Sequence, residues 1–184
     1  QAREAVNLDA AAKSYASAHT LVPDSVDALL GLGIVARDRQ ELRSALRYFE
    51  QALVIESEHV DILLERAGTQ LMLGEVEAAE DGFRALLAGD DLLAPAHAGL
   101  GAALLAVGDT AQAVSHLERA LAVEPQSASV WWQLARARRY GADDTDTVAC
   151  LEHQLVAATD RTWDRINLGF ALGKMCDDRG EHER

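Results

Sequence analysis

A pattern of small and large apolar residues recurs every 34 positions along most of this sequence. Three columns carry it, each stepping by 34 residues: Ala11, Ala45, Ala79 and Ala113; Tyr15, Phe49, Phe83 and Leu117; Ala18, Ala52, Leu86 and Ala120. Within each copy the first two columns are four residues apart, about one helical turn. A period of this length predicts a stack of repeated units, because each unit buries its apolar face against its neighbours.

Each copy is expected to form two helices joined by a tight turn. The first helices are predicted over 26–38, 60–73 and 95–107, and the second helices over 41–54, 75–87 and 110–123. Gly33 and Gly101 provide small contact points in the first helices, since two helices approach to about 8 Å only where side chains are small. Pro23 and Pro125 lie between helix pairs, where the missing N–H breaks no helix.

Composition agrees with an all-α chain. Apolar residues make up 49% of the 184 positions and aromatic residues only 5%, which favours helices over sheets. The net charge of −13 argues against nucleic acid as a partner, because an acidic surface repels phosphate. No apolar run approaches the ~20 residues of a membrane span. Two widely spaced cysteines suit a reducing compartment, so we expect a cytoplasmic location.

The pattern resembles the tetratricopeptide repeat, which has Leu-Gly early in its first helix, Ala, Phe or Tyr and Ala in its second, and Pro at the junction. The resemblance implies an all-α fold, an α-solenoid whose helix-turn-helix repeats form a right-handed superhelix. A generic helical bundle with accidental spacing is the weaker alternative. We expect one repeat domain over 1–184: a partial repeat at 1–25, full repeats at 26–59, 60–93 and 94–127, a divergent repeat at 128–161, and the first helix of a truncated repeat at 162–184.

The register loosens in the last third of the chain. A first helix is predicted over 128–140, but Thr147 and Gln154 occupy small-residue positions of the next helix, predicted over 144–158. We therefore expect this second helix to be an atypical partner.

The next Leu-Gly position is open to two assignments. Strict 34-residue steps place it at Leu168-Gly169, whereas a four-residue insertion places it at Leu172-Gly173. We prefer the insertion, because it explains Gly180 as the residue that ends the helix. At the other end, Gln1 falls inside the first helix of a repeat whose second helix is predicted over 8–20. We expect a chain cut at both ends from a longer protein.

The last quarter of the chain resembles the repeat region just before the catalytic domain of bacterial tetratricopeptide-repeat sulfotransferases. The motif consists of Leu168, Phe170, Ala171, Leu172, Gly173 and Lys174, followed by Asp177, Asp178 and Gly180. It departs from the family at Gly169, where a bulkier residue is usual. The resemblance implies a following domain that transfers sulfate from 3′-phosphoadenosine 5′-phosphosulfate, with its binding loop beyond Arg184. The alternative is an ordinary repeat helix.

No pattern within the chain indicates catalysis. The six histidines lack metal-ligand spacing, and the paired aspartates lie at predicted turns, where Asp caps helices. We therefore expect no enzyme activity in this chain and no metal or cofactor.

The first helices are expected to line a concave groove that binds a protein or peptide. Its predicted residues are Leu30, Ile34, Arg37, Leu64, Leu71, Ala98, Leu105, Trp132, Gln133, Arg136, Arg139 and Tyr140. The middle is small and apolar, and one end is cationic and aromatic, suited to an acidic partner. Alternatively, the apolar stripe packs on a further domain of the same protein.

Two functions remain open at this point. The first is the non-catalytic repeat region of a bacterial sulfotransferase, acting as an interaction scaffold. The second is a free-standing assembly scaffold of the secretion or pilus-biogenesis type, with no enzyme attached.

Overall fold

The computed structural model describes residues 2–158 and 162–180, and every regular element in those ranges is a helix. The α-helices are α1 (Ala2–Leu21), α2 (Val26–Asp38), α3 (Leu42–Ile55), α4 (Val60–Leu73), α5 (Val76–Gly89), α6 (Ala94–Val107), α7 (Thr110–Val123), α8 (Ala128–Ala137), α9 (Thr145–Ala157) and α10 (Thr162–Asp178). A short 3-10 helix, Ala142–Asp144, precedes α9. The predicted all-α solenoid class is confirmed.

The helices divide into two compact units, Gln1–Gly89 and Asp90–Arg184. In the first unit, α2 packs on α3 and α4 on α5 as hairpins, while α1 packs on α2 and α3 on α4. In the second unit, α6 and α7 form a hairpin and α8 packs on α7. The predicted bounds of α2, α4 and α7 agree with those observed.

Small residues let the two helices of a hairpin approach closely. A Cβ atom on Gly33 would overlap the ring of Phe49, and one on Gly101 would lie 2.8 Å from Leu117 Cγ. The large residue of each second helix therefore sits on the glycine of its own hairpin.

The repeat columns form the core. Ala45, Phe49 and Ala52 are completely buried in the first unit, and Ala113 and Leu117 are completely buried in the second. Burying a side chain the size of Phe or Leu contributes about 1.5–3 kcal/mol relative to leaving it in water. From residue 45 onward, the columns recognised in the sequence are therefore core positions, whereas Tyr15 of the first copy is 39% exposed.

Left-handed residues end the first helices. Gly74 has φ 83° and Gly108 φ 85°, and the same conformation ends α2 at Gln40, with φ 63°. Glycine reaches this region at no steric cost, whereas a residue with a Cβ atom is strained there. Gly180 follows α10 with φ 72°, so its predicted role as a helix terminator is confirmed.

The start of the chain differs from expectation. We predicted a turn before residue 8, yet α1 is one continuous helix from Ala2 to Leu21. Residues 2–8 contain neither Gly nor Pro. Nothing in this stretch ends a helix. The 34-residue period therefore predicted a turn that the local sequence does not favour.

The helices at the end of the chain depart from simple hairpins. The helix α8 ends at Ala137 rather than at residue 140, and Arg138 is extended, with φ −137° and ψ 167°. The helix α8 packs on α7 and more extensively on α10. The helix α9 also packs on α10. Thr147 and Gln154 of α9 are half-buried, in keeping with the prediction that α9 is an atypical partner.

Two contacts show the direction of α10. The ring of Trp132 contacts the ring of Phe170, and the backbone N–H of Tyr140, just after α8, donates to the Asp178 carboxylate at 3.3 Å. Early residues of α8 thus meet the middle of α10, and the two helices end near each other. Therefore α8 and α10 run in the same direction, as successive first helices of a solenoid do.

Candidate functional site

In the first unit, the predicted binding residues lie on α2 and α4. Leu30, Ile34, Leu64 and Leu71 are all half-buried. They therefore pack at their bases and still present apolar surface. This set supplies contact area and no chemical group that could select a partner.

Arg37 also lies on α2, but its charge is already matched. Its guanidinium pairs with Glu65 on α4 and with Asp38 at 2.9 Å. Burial lowers the pKa of Arg37, but the hydrogen bond to Asp38 and the charge of Glu65 outweigh burial, and the pKa is raised overall. Arg37 links two first helices and has little capacity left for a partner's carboxylate.

In the second unit, Ala98 and Leu105 are half-buried on α6, and Trp132 and Gln133 are half-buried on α8. Ala98, Leu105 and Trp132 pack against the core of this unit. They provide an apolar floor whose distinguishing feature is the indole.

Trp132, Arg136 and Phe170 form a cluster that we call the aromatic corner. The ring centroids of Trp132 and Phe170 are 5.9 Å apart with the planes inclined by 50°. The Arg136 guanidinium carbon lies 5.5 Å from the centroid of the indole. Tilted rings at this separation attract each other, and a cation over the indole face adds a further favourable contact. The corner is therefore a preformed surface.

Phe170 was not among the residues predicted to bind a partner, although its side chain is 62% exposed. The signal was present in the sequence. The preferred four-residue insertion places Phe170 in the same repeat column as Trp132, because their separation is 34 plus 4 positions. Extending the predicted set of groove residues to the equivalent positions of α10 would have included Phe170.

Arg136 and Arg139 are both exposed, and neither forms an ion pair with another residue of the described ranges. Arg139 lies near Asp178, whose pKa is lowered mainly by a hydrogen bond from Lys174 and slightly by the charge of Arg139. Among the described residues, the recorded partner of Arg136 is the indole of Trp132. In a chain with net charge −13, such a cation is available to an acidic ligand.

Tyr140 does not join the predicted groove. Its side chain is 3% exposed, and its Oη donates to the carbonyl oxygen of Leu134 at 3.2 Å. The Arg138 guanidinium lies 4.4 Å from the ring centroid. The prediction is wrong because α8 ends before this residue, so the chain turns and carries the phenol into the core. Burial raises the pKa of Tyr140 to about 12, although Arg138 opposes the shift.

Metal chemistry has no visible basis in the described ranges, where no three His, Cys, Asp or Glu side chains converge on one point. Within those ranges, no helix combines the length and the apolar character that are needed to cross a bilayer. The site offers an apolar contact surface beside the positive charges of Arg136 and Arg139.

Family models identify the repeats. One tetratricopeptide repeat model matches residues 94–137, and a second matches residues 2–54 and 30–93. Together the matches extend over residues 2–137, well over half of the chain.

A curated relative is the cellulose synthase 1 operon protein C of Komagataeibacter xylinus, which is 27% identical over 221 residues. The alignment covers 92% of this chain but only 16% of the relative, so the chain spans a small part of that protein's length.

Solved structures share the fold. The structure described as the functional characterisation of pilF from Pseudomonas aeruginosa has a TM-score of 0.69 at 20% identity, covering 97% of this chain and 81% of that one. YrrB, described as a tetratricopeptide-repeat protein with an unusual peptide-binding site, has a TM-score of 0.58 at 17% identity, covering 98% and 82%.

Proposed function

The chain belongs to the tetratricopeptide repeat family, and we propose that it is an interaction scaffold that binds a protein segment at the aromatic corner. The family match supports protein binding in general terms. The observation that carries the specific proposal is the contact of Trp132 with Phe170 beneath the guanidinium of Arg136. The other recorded cation–ring contact in the described ranges joins Arg138 to Tyr140, but that ring is buried and that guanidinium is ion-paired with Asp144.

The corner has the physical properties of a binding surface. Exposed apolar area near a polar rim is a common feature of interaction sites, and Trp and Arg dominate the energetics of many interfaces. The rings already pack on each other, so little side-chain freedom is lost when a ligand covers them. An apolar side chain of the partner would rest on Phe170, which exposes more of its surface than the half-buried indole.

We propose that the bound segment carries a carboxylate beside this apolar side chain. Arg136 presents a guanidinium with no ion pair among the described residues, and Arg139 stands three positions further on. A guanidinium can hold a carboxylate through two parallel hydrogen bonds. The rest of the acidic chain repels an acidic partner, so the charge also directs where that partner binds.

Two kinds of protein are candidates for the one that contains this scaffold. The relative encoded in a cellulose synthase operon favours an assembly scaffold, with the present chain as one part of a longer repeat region. The resemblance of residues 135–184 to sulfotransferase repeat regions favours an attached enzyme domain, on which the apolar surface could pack. We favour the assembly scaffold, because the motif at 168–180 lies on α10 and ends in a left-handed glycine, features expected of any repeat helix.

The gene sequence beyond Arg184 distinguishes these candidates. Further 34-residue copies would support the assembly scaffold. A predicted strand followed by a phosphate-binding loop would support the sulfotransferase and overturn our preference.

Selection from a phage-displayed library of random 12-residue peptides tests the binding proposal. We expect the native chain to enrich peptides with an acidic residue next to an aromatic or aliphatic one. Trp132→Ala combined with Arg136→Glu should abolish that enrichment, whereas Arg47→Glu, an equal charge change on α3, should leave it intact. Enrichment that the double variant leaves unchanged would overturn the proposed site.

A further inference from the structure

The helix α10 exposes the face that other first helices cover with a second helix. In the α2–α3 hairpin, the ring of Phe49 lies against Gly33, and in the α6–α7 hairpin a large side chain lies against Gly101 in the same way. The four-residue insertion places Gly173 of α10 in the same repeat column as these glycines. Gly173 is exposed, and a Cβ atom there would meet no described residue within 4 Å. The contact that a second helix makes in the complete hairpins is therefore open on α10.

Burial along α10 supports this assignment. Ala96 and Ala103 are completely buried on α6, and the equivalent residues two periods and four positions later, Leu168 and Met175, are 1% and 0% exposed on α10. The helix α10 thus buries the usual columns of a first helix in its own unit. Strict 34-residue steps would place Gly169 in the glycine column instead, and Gly169 is also exposed, with no described residue within 4 Å of an added Cβ atom. The glycine is uncovered in either register.

The helix α1 exposes the matching face of a second helix. Ala11, Tyr15 and Ala18 belong to the columns whose members on α3 are completely buried. On α1, however, Ala11 is half-buried, Ala18 is exposed and Tyr15 is 39% exposed. One side of the Tyr15 ring packs on Gly31 of α2. The helix α1 therefore has the small and large residues of a second helix, but the described residues include no first helix that covers them.

We propose that copies of this chain associate head to tail, with α1 of one copy packing on α10 of the next as a second helix packs on its own first helix. Tyr15 of one copy lies against Gly173 of the neighbouring copy, in the way that Phe49 lies against Gly33. Ala18 lies about one turn further along α1, opposite Gly169. Small residues on both sides let the two helices approach closely.

A second copy fits the open face of α10 because each face carries what the other lacks. Trp163, Ile166 and Phe170 of α10 are 76%, 39% and 62% exposed. Contiguous exposed apolar residues mark interaction sites, and the uncovered faces of a repeat array are otherwise expected to be polar. The columns of α1 are the same ones that already fill the glycines of first helices inside this chain. The surface chemistry of α1 therefore matches the face of α10 in kind and in spacing.

The two faces differ, so the association is heterologous. A dimer formed in this way keeps a free α10 face at one end and a free α1 face at the other, so that further copies add by the same contact. One helix face on each side supplies fewer residues than the about 20–30 per partner of a stable interface. We therefore expect weak assembly that depends on protein concentration. Because each copy has a net charge of −13, salt should strengthen it by screening the repulsion between copies.

Sedimentation velocity of the native chain over a range of protein concentrations tests the association. We expect the mean mass to rise with concentration and to pass that of a dimer. It should rise further when the ionic strength increases from about 0.01 M to about 0.1 M, which shortens the Debye length from about 30 Å to about 10 Å. A chain that stays monomeric at every concentration, or that stops at a dimer, would overturn the proposal.

A charge on the α1 face should remove the association. Ala18→Glu adds a carboxylate where the neighbouring α10 packs, and the exposure of Ala18 means that the fold of the copy itself is not disturbed. Ser17→Glu is the matched control, because it makes the same charge change one position away. Its column is exposed in every copy, at Gln51 and Arg119 for example. Equal association of the Ala18→Glu variant and the native chain would contradict the proposed contact.

A large side chain at the open glycine should have the same effect from the other side. Gly173→Leu fills the space that Tyr15 of the neighbouring copy occupies, so we expect loss of association. Gly68→Leu is the control, since it adds the same side chain to another first helix at a glycine with no described residue within 4 Å of an added Cβ atom. It should leave the association intact.

Mixing the two blocked variants distinguishes head-to-tail from symmetric pairing. The Gly173→Leu variant keeps a free α1 face, and the Ala18→Glu variant keeps a free α10 face. Each should be monomeric alone, whereas the mixture should form a dimer that does not grow. Pairing between two α10 helices would survive Ala18→Glu, and pairing between two α1 helices would survive Gly173→Leu. Either result, or a mixture that stays monomeric, would overturn the head-to-tail contact.

Discussion

The indole ring of Trp132 contacts the phenyl ring of Phe170, with 5.9 Å between the ring centroids and 50° between the planes. These residues lie 38 positions apart, one 34-residue period plus an insertion of four. They therefore occupy equivalent places on α8 and α10, two first helices that run in the same direction. Their contact explains how the aromatic corner arises. The four-residue insertion leaves Phe170 in the same repeat column as Trp132, and α10 packs directly on α8.

The ring contact should be measurable as a coupling free energy. We expect Trp132→Ala and Phe170→Ala to show a coupling of about 0.5–1.5 kcal/mol in a double-mutant cycle, since tilted aromatic pairs attract beyond their buried area. Urea unfolding of the native chain, both single variants and the double variant gives this value. Trp163→Ala is the matched control, because that indole is 76% exposed and should couple weakly to Trp132. Strictly additive effects of the two ring deletions would contradict the contact.

Two glycines within first helices should respond oppositely to the same substitution. Gly33→Ala places a Cβ atom against the Phe49 ring, so we expect a loss of about 1–3 kcal/mol in the free energy of unfolding. Gly68→Ala meets nothing within 4 Å and removes a flexible residue from α4, so a gain of up to about 1 kcal/mol is expected. Chemical denaturation measures both. Similar losses at the two sites would show that helix propensity and hairpin contact do not explain the glycines.

Gln40 offers a stabilising substitution. It ends α2 with φ 63°, the conformation that Gly74 and Gly108 supply after α4 and α6. Gln40→Gly should stabilise the chain by about 0.5–1 kcal/mol, because glycine adopts this conformation without strain. The reciprocal variant Gly74→Gln should destabilise it by a similar amount. Thermal unfolding tests the pair, and opposite signs for the two variants are the decisive result.

The sequence predicted most of the fold because the repeat columns are the packing contacts themselves. Ala45, Phe49 and Leu117 were identified from spacing alone, and they are completely buried. Gly74 and Gly108 also stand 34 positions apart, and their left-handed conformation is the physical reason that glycine recurs there. Periodicity reports contacts that every copy shares, so it succeeds wherever copies are alike.

What could not be predicted depends on contacts that occur once. Tyr140 was assigned to the groove by counting along a helix that in fact ends at Ala137, and its burial depends on Arg138 and the carbonyl of Leu134. Within the described ranges, His97 of α6 pairs with His116 of α7 in one hairpin alone, with 2.9 Å between their Nδ1 atoms, so no repeat column reveals this contact. The sequence contains these residues but no pattern that states their partners.

The buried phenol of Tyr140 should make the chain sensitive to alkaline pH. Burial raises the pKa of Tyr140 to about 12 in the folded chain, whereas an unfolded tyrosine ionises near pH 10. Between these values the unfolded chain releases a proton that the folded chain retains. Stability from this residue is therefore fully present below about pH 10 and declines as the pH rises toward 12, by on the order of 2 kcal/mol in total.

Urea unfolding at several pH values between 9 and 11.5 measures this decline, with tyrosinate absorbance reporting the ionised fraction. Tyr140→Phe should lower the stability at pH 8 by about 1 kcal/mol, since the hydrogen bond to Leu134 is lost, and it should flatten the alkaline dependence. Tyr15→Phe alters a ring that is 39% exposed and should leave the dependence in place. If Tyr140→Phe instead kept the full alkaline decline, another group would be responsible, and the burial of this phenol would not control the pH response.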